Sequence, residues 1–454
     1  MVSSGPTPAD GPIRDAVSRP LESAGSAGPG RSAAEAQDDL EDGADGVVSR
    51  WAGIGPIAPR PGEDLLPLIA WLRTGRTPEH RLDFPAGTAL PDGRLDLCKQ
   101  AVGPEGVRRV VDALPDSARA ARPAVRHLLL GTDGLGDAGA GAVAAAAGPK
   151  GLQTLYLGCN GVTAGGVCRM ADNLRASPQA AVGAVWLKRN PLGPAGGDAA
   201  ARLLEAAEGL RTLDLVQTGL DAGAVATLTD ALISAVGTGR GFERVYLGGN
   251  ALGAAGASSL ARLVAAGGVA ELYVSAAGLG AEGAQALAEA LECAPPGRLR
   301  RLSAASNGIG PAAASRLVAA AAHAGVELLD LGRVRAARVL AAPENRIDED
   351  AAAAIGTALA AAPHRLAHLV LTDTGMRSRE ALSMLRALGV TDRRPWSAPT
   401  AEVPADGPAP IRIVLGKGIA ATVKRRFAEL AAGVARPASA PDVAAVRSVY
   451  RTAQ

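Results

Sequence analysis

Residues Leu152–Gly166 read LQTLYLGCNGVTAGG, and this stretch decides the fold. In extended backbone successive side chains point to opposite faces, so Leu155 and Leu157 share one face and Tyr156 takes the other. Asn160 and the glycines beyond it break the alternation and mark a turn. The Ala/Leu-rich segments that follow such turns have helical spacing, as Ala284, Leu287 and Leu291 show at i, i+3 and i+7. A strand, a turn and a helix in that order cannot bury their apolar faces alone.

The phrase recurs. L-x-x-L-x-L-x-x-N followed by G-[LVI]-G-x-x-G-A is clean in VGAVWLKRNPLGPAGG, FERVYLGGNALGAAGA and LRRLSAASNGIGPAAA, and weaker in other copies. The asparagine slot falls at Gln100, Asp133, Asn160, Asn190, Thr218, Asn250, Ala277, Asn307, Asn345 and Thr374. That makes ten units, most of them 27 to 33 residues apart, with one 38-residue step before Asn345. Stacking such units closes a continuous core, with a parallel sheet on one side and helices on the other. The helix side is wider than the strand side, so the stack is expected to curve with its strands inside.

On these residues, over about 91–390, the sequence resembles the leucine-rich repeat superfamily and, within it, the ribonuclease-inhibitor-like class of long, helix-bearing units. The resemblance implies an α/β solenoid of horseshoe form, its parallel sheet concave and its helices convex. It also implies that Asn160, Asn190, Asn250, Asn307 and Asn345 bond backbone groups at their turns. Ala277 cannot, so a looser turn is expected there. By analogy with the family, the expected activity is protein binding.

The flanks are of different character. Residues 1–62 are rich in Gly, Pro, Ala and Ser and carry the acidic cluster EAQDDLEDGADG, the composition of a disordered tail. Residues 63–90 open with Leu65, Leu66, Leu68, Ile69 and Leu72 at helical spacing and read as an N-terminal capping helix. A Pro-rich linker spans 391–410. The last segment, 411–454, reads as a strand and a basic helix in IRIVLGKGIAATVKRRFAELAAGV. One or two further helical turns are expected in PDVAAVRSVYRTAQ, so the segment is a cap or an appended unit.

Composition narrows the function. A net charge of +2 provides no global electrostatic argument for nucleic acid. The four cysteines form no CxxC, which favours free thiols in a reducing compartment. With no signal-like apolar region and no long uncharged apolar run, a cytoplasmic monomer without membrane contact is expected.

No cofactor, metal or catalytic residue is expected. GLGDAG at Gly134–Gly139 matches a dinucleotide fingerprint, but it returns as GLGAEG at Gly278–Gly283 and belongs to the repeat turn. GKG at Gly416–Gly418 lacks the rest of a phosphate loop. His127 and His368 lie eight units apart, about 40 Å along the sheet at the usual strand spacing. His364 and His368 have no nearby third ligand. Cys98 and Cys159 lack a basic partner.

The outward column between the paired leucines is more telling. It reads Asp96, Leu129, Tyr156, Trp186, Asp214, Tyr246, Tyr273, Ser303, Asp330 and Val370. With eleven Phe, Trp and Tyr in 454 residues, ten slots hold fewer than one by chance, and this column holds four. Tyr156, Trp186, Tyr246 and Tyr273 are therefore candidate anchors for a protein partner on the concave face, with Lys188, Asp214, Arg244, Glu271 and Arg301 as polar neighbours. Repeat spelling is the competing explanation, because Tyr also suits a strand. A second candidate is the insertion GRVRAARVLAAPE, on the rim, with Arg333, Arg335 and Arg338.

Two alternatives stand beside the scaffold. One is regulation of a GTPase or other nucleotide-hydrolysing enzyme through a rim surface, as in the Ran GTPase-activating relatives of this repeat class. The other is nucleic-acid binding by the VKRR run of the C-terminal helix. That run lacks interleaved aromatics and is more simply a solvated face.

Overall fold

The computed structural model describes residues 57–119, 123–177, 181–361, 366–389, 411–431, 433–434 and 440–449. All of them lie in one compact unit, Ser32–Gln454. The linker at 391–410 and most of the tail at 1–62 fall outside the described residues, as do His364 and the last five residues.

Thirteen strands form one sheet in sequence order. They are β1 (Leu82–Phe84), β2 (Gly87–Ala89), β3 (Arg94–Asp96), β4 (His127–Leu129), β5 (Thr154–Tyr156), β6 (Ala184–Trp186) and β7 (Thr212–Asp214), then β8 (Phe242–Tyr246), β9 (Val269–Tyr273), β10 (Arg301–Ser303), β11 (Leu328–Asp330), β12 (His368–Leu371) and β13 (Arg412–Leu415). From β3 to β13 every neighbouring pair is parallel, and between consecutive strands of β3 to β12 a helix returns the chain. This is a leucine-rich repeat solenoid built from the chain's own strand–turn–helix register.

The N-terminal end is closed by more than a helix. Leu66–Leu72 buries Leu68, Ile69 and Leu72 against the first unit, and β1 and β2 then form an antiparallel hairpin onto β3. These two strands have no signature in the repeat phrase. At the other end β13 adds a parallel strand to β12, and Ala421–Leu430 buries Val423, Phe427 and Leu430 over the last layer. Lys424 and Arg425 of the VKRR run face solvent.

The inward leucines form one continuous core with the Ala-rich helix faces. Each fully buried leucine contributes about 2 kcal/mol, so many thin layers substitute for large aromatics. The asparagines add a second axis of cohesion. Asn250 accepts the backbone N–H groups of Thr218, Gly219 and Leu220 of the preceding unit at 2.9–3.3 Å, and its Nδ2 donates to the carbonyls of Leu215 and Leu247. Asn160, Asn190, Asn307 and Asn345 do the same in their units. Each side chain thus ties one turn to the turn before it. The insertion is folded back so that Asn345 still reaches its place, donating to Leu331 O and accepting from Asn307 N.

Candidate functional site

The candidate column lies in register across the sheet. Tyr156 pairs with Trp186, Trp186 with Asp214, Asp214 with Tyr246, and Tyr246 with Tyr273. Beside it runs a second column with Thr212, Arg244, Glu271 and Arg301 in register, and Lys188 lies two residues beyond Trp186 on the other flank. Sequence spacing had therefore gathered residues that the sheet register does place on one face.

The aromatics form a continuous strip. Tyr246 and Tyr273 stack at 4.3 Å between ring centroids, Trp186 lies 5.2 Å from Tyr246, and Tyr156 lies 6.4 Å from Trp186. Trp186 and Tyr246 are two strands apart, so their rings lean towards each other across β7, where Asp214 is fully buried. A Cβ on Gly131 would meet the Tyr156 ring at 2.6 Å, so the glycine leaves room for the ring.

The strip is covered, contrary to the expectation of an open face. Tyr156, Trp186, Tyr246 and Tyr273 are 2–6% exposed, and Lys188, Asp214, Arg244 and Glu271 are buried as well. The cover is the chain's own segment Pro441–Val449, called the strap below. Val446 is fully buried in one cluster with Cys98, Leu129 and the four aromatics, and Val443 packs against it. Asp442 accepts from Arg244 Nη1 at 2.6 Å and from Thr212 Oγ1 at 2.8 Å. Arg94 donates to Arg447 O at 2.8 Å, and Asp96 accepts from Ser448 Oγ and Val449 N at 2.8 and 2.7 Å. Arg94, Asp96, Thr212 and the strap itself were missed as site residues, because only the register and the tertiary fold bring them to the strip.

The polar side of the strip is strongly coupled. Glu271 accepts from Arg244 Nε and from Tyr273 Oη, both at 2.8 Å, and Arg301 lies 3.7 Å away. Burial alone works against the charge on Arg244, but Glu271 and Asp442 outweigh it and hold the guanidinium protonated. Burial, reinforced by Glu271, pushes the Tyr273 hydroxyl above its ordinary range. Burial does the same at Tyr246, with Tyr273 adding to it. The Tyr273 hydroxyl is thereby kept protonated as the donor to Glu271. Trp186 Nε1 and Lys188 Nζ are buried with no hydrogen-bond partner among the described residues, Lys188 Nζ lying 6.0 Å from the Tyr156 ring centroid.

The other candidates lie apart. Arg333, Arg335 and Arg338 are exposed on the insertion after β11, with Arg333 paired to Glu344 at 3.1 Å. In GLGDAG, Gly134 and Gly136 adopt φ of 67° and 56°, serving the turn into the helix Gly136–Lys150. Among the described residues no group of His, Cys, Asp or Glu is arranged to hold a metal ion, and no helix is long and apolar enough to cross a membrane.

No protein-family model matches the sequence, and no curated protein matches it. Solved structures that resemble the fold include the yeast Rad7 and Elc1 complex, at 13% identity over 72% of this chain and 81% of that one, with a TM-score of 0.37. The leucine-rich repeat-containing protein LegL7 of Legionella pneumophila is similar at 13% identity over 75% and 82%, with a TM-score of 0.30. An internalin of Listeria monocytogenes is similar at 14% identity over 75% and 98%, with a TM-score of 0.32.

Proposed function

We propose that this chain is a non-enzymatic interaction scaffold that binds a polypeptide partner on the sheet face from β5 to β10. Tyr156, Trp186, Tyr246 and Tyr273 are its apolar anchors, and Lys188, Asp214, Arg244, Glu271 and Arg301 set register and specificity. The observation that carries this reading is the strap: a short peptide segment already buries these anchors, with a carboxylate on Arg244 and a valine on the rings. Aromatic rings with a charged border suit such a ligand, since they offer large area at low entropic cost. Helices in the repeat units support placing the scaffold in the ribonuclease-inhibitor-like class, and four free cysteines support a reducing, cytoplasmic setting.

The test is site-specific photo-crosslinking in the native cell. A photoreactive residue at Arg301 on the sheet face is expected to capture a defined protein, whereas one at Arg316 on the exposed helix side is not. Equal capture at both positions, or none at Arg301, removes the sheet face as the binding surface.

A further inference from the structure

We infer that Pro441–Val449 is a self-bound ligand that closes the sheet face, and that the partner is a short helical segment carrying a carboxylate four residues before a mid-sized aliphatic side chain. The inference rests on the sheet-face reading above and specifies the partner of that site.

The strap is held as a ligand is held. Among the described residues, no backbone–backbone hydrogen bond joins it to any strand; its own bonds run from Ala444 N to Ala440 O, Ala445 N to Pro441 O, Val446 N to Val443 O and Arg447 N to Ala444 O. By contrast, every residue of β13 pairs with β12. The strap can therefore leave without breaking the sheet. Its helical turns place Asp442, Val443 and Val446 on one side, the spacing by which a helix presents anchors to a groove. Arg244 takes the carboxylate near the start of this short helix. Arg94 donates to the carbonyls of Ala444 and Arg447 near its end.

Two features make it replaceable. Ten residues, 431–440, separate it from the helix Ala421–Leu430, so it competes as a tethered ligand at an effective concentration on the order of millimolar. Among the described residues it also leaves Trp186 Nε1 and Lys188 Nζ without acceptors. A partner that supplies an acceptor there gains what the strap forgoes, which lets a free segment displace a tethered one.

The experiment uses the full chain and a fluorescent peptide, PDVAAVRSV, copied from the strap. Val446→Asp alters the strap and leaves every strand side chain in place. Anisotropy titration is expected to show the peptide binding the Val446→Asp chain at least about tenfold more tightly than the wild type. Changing the peptide's aspartate to alanine is expected to weaken that binding about tenfold. Hydrogen exchange of the wild type supplies a readout independent of any variant: amides of Ala444–Arg447 are expected to open locally, well before those of β7 and β8.

Equal peptide affinity for both chains, or strap amides that exchange only together with β7 and β8, makes the segment a fixed part of the fold and overturns the inference while leaving the sheet-face reading intact. No binding to a folded Val446→Asp chain removes both. A wild-type dimer that forms with concentration and is lost in Val446→Asp assigns the occupant to a second copy of this chain and overturns the partner assigned here.

Discussion

At Asp133 a single atom departs from the repeat. Its Oδ1 accepts the backbone N–H groups of Gln100 and Val102, as asparagine does elsewhere, but Oδ2 is buried without a partner among the described residues, where asparagine would donate through Nδ2. Burial, with the Asp96 charge adding to it, raises its carboxyl pKa well above the ordinary value, opposed only in part by the N–H groups of Val102, Gln100 and Ala101. A raised folded pKa means the native state holds the proton more tightly than the unfolded chain. Stability from this group is thus present at and below the unfolded pKa, near 4, and is lost as pH rises from there towards the folded pKa. Asp133→Asn is expected to raise stability by about 1–2 kcal/mol at neutral pH and by less at pH 4, measured by denaturant unfolding at both pH values. Lys188 is the second residue out of place: among the described residues its buried Nζ meets no hydrogen-bond acceptor and lies over the Tyr156 ring at 6.0 Å from the centroid. Lys188→Met keeps the stem and is expected to stabilise the protein by roughly 1–2 kcal/mol in thermal unfolding. A loss of stability there would mean that the amine is already compensated.

Between residue and molecule, the unit is the asparagine turn. Because Asn250 serves three amides of one unit and two carbonyls, Asn250→Ala leaves buried backbone groups unsatisfied on both sides of a repeat boundary. The expected cost is about 3 kcal/mol, against less than about 1 kcal/mol for Thr227→Ala on an exposed helix face, both read by chemical denaturation. The asparagine slot was legible in the sequence because it recurs at a fixed place after the L-x-L core. That its bonds reach back to the preceding turn was not, since spacing along the chain says nothing about which neighbour a side chain meets. The in-register aromatic column was legible for the first reason, and the hairpin β1–β2 was hidden for the second: it has no repeat to announce it.

For the whole molecule the question is what each end of the chain does. Ending the chain at residue 439 removes the strap with the few residues flanking it and is expected to leave a cooperative unfolding transition while increasing dye binding to the uncovered aromatic strip. Ending it at residue 410 also strips β13 and the helix with Val423 and Phe427 from β12, exposing an unpaired parallel edge and core leucines. That shorter chain is expected to aggregate, which light scattering during refolding measures. If both truncations behave alike, the strap is part of the cap and no separate element.

Periodicity alone determined the stack of strand, turn and helix, the inward leucines, the asparagine slot and the side-chain column that shares the outer face of the sheet. These follow from local geometry repeated about every thirty residues, so each copy corroborates the others. Whether that outer face meets solvent, a partner or the chain itself was left to the tertiary structure. Asp442 and Arg244 are separated by 198 residues, and only the completed array brings the strap's carboxylate to the guanidinium and its valine to the rings.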